Sequence, residues 1–74
     1  MWIKFRNDVM VNMEHILSIT HSEYGHTLIF QGNAGYACTL EFLSETDIEN
    51  TISAITKALE EKEIMVHINA SPSI

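Results

Sequence analysis

Four histidines, one cysteine and a scatter of carboxylates are the side chains here with the means to do chemistry. His15, His21 and His26 fall within "VNMEHILSITHSEYGHTLIF", residues 11–30, at intervals of six and five. A zinc site brings three or four donors to one point, and these intervals match no such pattern. His21 and His26 flank a turn at Tyr24-Gly25, so a hairpin would set them facing each other. A metal held there would still require a third donor from Glu14, Glu23 or His67. The simpler expectation is that these are surface residues of strands and turns, with no bound metal. Their protonation would carry the net charge from −6 towards −2, one charge for each of the four histidines, which leaves a pH-sensing role open.

Cys38 sits between Tyr36 and Leu40 in an alternating run, which places it on the inward face of a strand. Free cysteine is commonly a small buried hydrophobe, and no basic residue stands near it to stabilise a thiolate. Ser18, His21 and Asp47 can be written as a nucleophile, a base and an orienting acid, but a chain of this length offers such triples by chance. Glycine-rich dinucleotide or phosphate loops and the HExxH zinc signature do not occur. No enzyme activity, cofactor or metal ligand is therefore expected.

Four basic residues stand against ten acidic ones. That balance argues against direct binding of nucleic acid, because neutralising phosphates takes Lys and Arg. Lys4 and Arg6 share one strand face, while Lys57 and Lys62 fall singly. Glu41, Glu45, Asp47, Glu49, Glu60, Glu61 and Glu63 suggest another possibility: an acidic inhibitor that imitates nucleic acid and blocks the protein that binds it. The opening "MWIKF" has neither the apolar core nor the cleavage site of a signal peptide. No apolar run is long enough for a membrane span. Together with an unpaired cysteine, these features place the chain in a reducing cytoplasm.

Seventy-four residues form one small domain, which buries roughly 60% of the surface exposed by the unfolded chain. With no disulfide possible, self-association is the expected aid to stability. "MWIKFR" reads as a strand stopped at Asn7-Asp8, and "VMV" as a second. "MEH" is an irregular corner, "ILSITHS" and "TLIFQ" form a hairpin, and "GNAG" turns into "YACTLEFL". In that second turn Gly32 and Gly35 are expected to supply positive φ. The period then changes. Ser44 caps a helix from about Glu45 to Lys62, with Ile48, Ile52, Ile55 and Leu59 on one face, to be packed on Cys38, Leu40 and Phe42. "EIMVHI" closes the domain as a last strand.

The class is thus α+β: an antiparallel β-meander of about five short strands, one C-terminal helix packed on one face, and a final short strand. Residues 1–68 make the domain and 69–74 a disordered tail. "VMVNMEHILSIT", the hairpin after it and "LEFLSETDIENTISAI" resemble small bacterial and phage proteins with a β-meander and one helix. Flagellar regulatory proteins of the FlbD type and compact PH-like sheets share the pattern carried here by Asn12, Glu14, Ile16 and Ile19. The resemblance spans residues 2 to 59 and implies the fold class without assigning a functional residue.

Trp2 and Phe5 lie on opposite faces of the first strand, and Ile64, Val66 and Ile68 oppose Met65 on the last. Apolar residues on both faces of outer strands call for a partner beyond one helix. The reading is a small non-enzymatic protein-interaction or regulatory module. Its contacts would be Trp2, Phe5, Ile64, Met65, Val66 and Ile68, and its copies would form a homodimer through the last strand.

Overall fold

The computed structural model describes residues 1–22 and 24–74. Among the described residues six strands and one α-helix follow in order: β1 (Trp2–Phe5), β2 (Met10–Asn12), β3 (Ile16–His21), β4 (Thr27–Gly32), β5 (Ala37–Glu41), α1 (Glu45–Glu60) and β6 (Met65–Ile68). This is the α+β class read from the sequence, with five strands, then the helix, then a last strand. The strands divide into two sheets, ordered β2-β1-β6 and β3-β4-β5. The division falls at "MEH". Asn12 Oδ1 accepts from Glu14 N at 3.1 Å, and the short 3-10 turn Met13–His15 swings the chain out of the first sheet.

The second sheet is antiparallel throughout, with Phe30 opposite Ile19 and Cys38, and Leu28 opposite His21 and Leu40. Gly32 ends β4 for a reason of space. Its φ is −121°, ordinary for any residue, but an added Cβ would fall 2.2 Å from the His15 carbonyl oxygen. The left-handed positions of this turn belong to Ala34 and Gly35. The first sheet is mixed. β1 runs antiparallel to β2 and parallel to β6, with Trp2 beside Met65 and Phe5 beside Ile68.

The helix starts where its cap predicts, Ser44 Oγ accepting from Asp47 N at 3.2 Å. It ends with Lys62 at φ +55° and Glu63 N donating to Ala58 O, so the last carbonyls are satisfied. Its buried face is Ile48, Thr51, Ile55 and Ala58. Ile52 and Leu59, expected on that face, are exposed on its flank. The face is rotated because the helix inserts its small residues as well as its large ones. Ile3, Phe5, Val11 and Ile68 of one sheet, Leu28, Phe30 and Leu40 of the other, and Ile48 and Ile55 of the helix form one core. Phe5 and Phe42 meet edge to face within it, at 5.8 Å between ring centres.

Residues 69–74, expected as a disordered tail, belong to the packed domain. Ala70 and Pro72 are buried, Arg6 N donates to Ala70 O, and Asn7 Nδ2 donates to Pro72 O at 2.6 Å. Ser73 exchanges two backbone hydrogen bonds with Glu41, both 2.9 Å, and so closes the last position of the outer edge of β5. Proline serves here because a segment held at intervals needs few backbone donors.

Candidate functional site

Each interacting element can be followed from its residues. β1 alternates, sending Ile3 and Phe5 into the core and Trp2, Lys4 and Arg6 outward. Its neighbours keep step. Asn12, Trp2 and Met65 form one outward row, and Met10, Lys4 and His67 the next. Arg6 follows, with its Nε donating to Asn69 Oδ1 at 2.8 Å and one Nη donating to the same oxygen. Lys4 Nζ lies 3.6 Å from Asp8 Oδ1. The outward face of β2-β1-β6 thus combines Trp2, Met10 and Met65 with two of the four basic residues. A shallow hollow of about 340 Å³ lies at its end, lined by Lys4, Arg6, His67 and Asn69 among others.

Of the six residues singled out from the sequence, Trp2, Ile64 and Met65 are exposed, and Val66 is half-buried. Phe5 and Ile68 are core residues, 1% and 5% exposed. Their inward direction follows from parallel pairing between β1 and β6, which aligns the odd positions of one with the even positions of the other.

The second surface was not foreseen. β3 is the outer strand of its sheet, and Leu17, the extra residue where the register with β4 shifts, is 72% exposed. Between β3 and the flank of α1 lie two adjoining clefts. One, of about 350 Å³, is lined by Met13, Ile16, Leu17, Ser18, Ile19 and Leu59. The other, of about 220 Å³, is lined by Ile19, His21, Ile52, Ile55, Thr56 and Leu59. Among the described residues no Asp, Glu, Lys or Arg lines either. The signal in the sequence was Ile16-Leu17 followed by Ile19, three large aliphatics that one strand face cannot hold.

The histidines part company. His21 Nε2 lies 3.4 Å from Glu45 Oε1 and His26 Nδ1 3.2 Å from Glu45 Oε2. One carboxylate in the first helical turn therefore ties both limbs of the β3–β4 hairpin to α1. His15 stands in the 3-10 turn and His67 on the other sheet. Glu23, weighed as a third ligand, lies outside the described residues. Among the described residues no three His, Cys, Asp or Glu stand together as metal donors. Ser18 Oγ donates to Gln31 Oε1 at 3.5 Å, while His21 turns to Glu45 and Asp47 lies in the first turn of α1. Cys38 is half-buried, and burial pushes its thiol pKa up, away from thiolate chemistry. Among the described acids only Asp8 and Glu45 have ion-pair partners, and Glu49, Glu60, Glu61 and Glu63 face solvent. No described helix is long and apolar enough to cross a membrane.

Comparison of the chain with family models, curated proteins and solved structures gave no match.

Proposed function

We propose that this chain is a non-enzymatic protein-interaction or regulatory module that docks a partner on the outward face of β2-β1-β6. The observation that supports the reading most is the composition of that face. Among the described residues it is left open to solvent, with Trp2, Met10 and Met65 exposed and framed by Lys4, Arg6 and His67. Tryptophan and arginine contribute disproportionately to binding when a partner desolvates them. The rest of the chain is strongly acidic, so this is the face on which a segment bearing apolar side chains and carboxylates meets least repulsion. The free thiol fits work in a reducing cytoplasm.

The test is affinity capture from the source cell with three baits: wild type, Trp2→Ala, and a triple Glu60→Gln, Glu61→Gln, Glu63→Gln variant. A partner lost with Trp2→Ala and kept by the triple variant supports the docking face. A partner kept by Trp2→Ala and lost with the triple variant, in a salt-dependent manner, replaces it with the acidic inhibitor. Circular dichroism of each bait verifies that it is folded.

A further inference from the structure

Two three-stranded sheets leave four outer edges, and an outer edge is a row of unpaired backbone donors and acceptors that natural proteins guard. The edge of β5 is closed at its Glu41 end by Ser73 and carries that carboxylate. β2 has only three residues. The groove beside β6 is lined by Lys57, Glu61, Glu63 and His67, so charge flanks that edge. β3 is different. Its six residues, ILSITH, hold no proline and no Asp, Glu, Lys or Arg, and among the described residues none of those lines the clefts beside it.

We propose that two copies of this chain pair antiparallel through the edges of β3 about a two-fold axis, joining their β3-β4-β5 sheets into one. The occupant is a second copy for two reasons. A two-fold contact sets a patch against itself, so in a chain of net charge −6 it must avoid carboxylates. β3 itself carries none, and the Glu45 carboxylate beside it is engaged by His21 and His26, whereas the β6 edge would bring Glu61 and Glu63 near their own copies. The patch is also self-complementary. Antiparallel pairing sets the Leu17 end of one β3 against the His21 end of the other. The protruding Leu17 then meets the partner's cleft between Ile19, Ile52 and Leu59, and the exchange is reciprocal. The proposal does not rest on the docking face, which lies on the other sheet. It moves the self-association expected of β6 to β3, since Glu61 and Glu63 flank the free edge of β6.

Sedimentation equilibrium of the full chain, wild type and variants, tests it. Wild type should be a dimer at micromolar concentration. Leu17→Glu should raise the dissociation constant by roughly a hundredfold, because each copy would set an unpaired carboxylate in the partner's apolar cleft. Leu17→Lys should also be monomeric, since it sets an unpaired ammonium in the same cleft. Met65→Glu, on the outward face of β6, should dimerise like wild type. Leu17 is exposed enough that neither variant endangers folding, which circular dichroism checks. A monomeric wild type at high micromolar concentration overturns the proposal. So does a dimer indifferent to Leu17→Glu, or one abolished by Met65→Glu alone.

Discussion

In β3-β4-β5 every strand pairs with its neighbour in sequence, through turns of a few residues. In β2-β1-β6 the central strand must instead be joined by the other end of the chain, Trp2 beside Met65 and Phe5 beside Ile68. Closing a long loop costs entropy before any contact repays it, so local pairings form sooner than distant ones. The two sheets share one core, yet they teach different things. One is a self-contained meander, and the other is what makes the two ends of the chain a single domain.

That contrast is broken most severely at Phe5, which is 1% exposed and packs against Phe42, the residue just beyond β5 of the opposite sheet. Phe5→Ala should cost about 3–5 kcal/mol in urea unfolding, with most of the loss in a faster unfolding rate, because the end-to-end sheet forms late. A loss carried mainly by slower folding would show that the distant pairing is part of the nucleus. Next comes the helix that spans both sheets. Ile55→Ala should cost roughly 2–5 kcal/mol, whereas Ile52→Ala, at a position 40% exposed, should cost about 1 kcal/mol or less. Equal losses from the two would mean that the buried face is the one centred on Ile52.

Within the local sheet, Gly32→Ala forces the His15 carbonyl or the backbone to move and should cost about 1–3 kcal/mol. Thermal denaturation with little change would show that the β3–β4 junction has slack. Thr51 is fully buried, and its hydroxyl has no partner among the described residues. Thr51→Val keeps the shape and removes that hydroxyl, so it should stabilise by roughly 1 kcal/mol. The smallest effect concerns reactivity alone. Burial raises the Cys38 pKa, so less thiolate exists at any given pH, and alkylation of the folded chain should be slower than of the urea-unfolded chain. Equal rates at pH 8 would mean that the thiol is not shielded.

The sequence by itself determined what depends on neighbours along the chain. Alternation in "YACTLEFL", the turn residues, the Ser44 cap and the change of period near residue 44 specified the strands, the helix and their order, because each signal is written within one turn or one hairpin. It also placed Trp2 and Lys4 on faces opposite to Phe5. Only the tertiary structure decided which face was inside. Ile52 and Leu59 have the same apolar character as Ile48 and Ile55, and the helix was seated instead on Thr51 and Ala58, whose small size lets it approach the core. The parallel match of β1 with β6, the docking of 69–74, the carboxylate of Glu45 shared by His21 and His26, and the groove beside β3 all join residues far apart in sequence. Such contacts leave no periodic mark, since they are selected by the total packing of the core and not by any local preference.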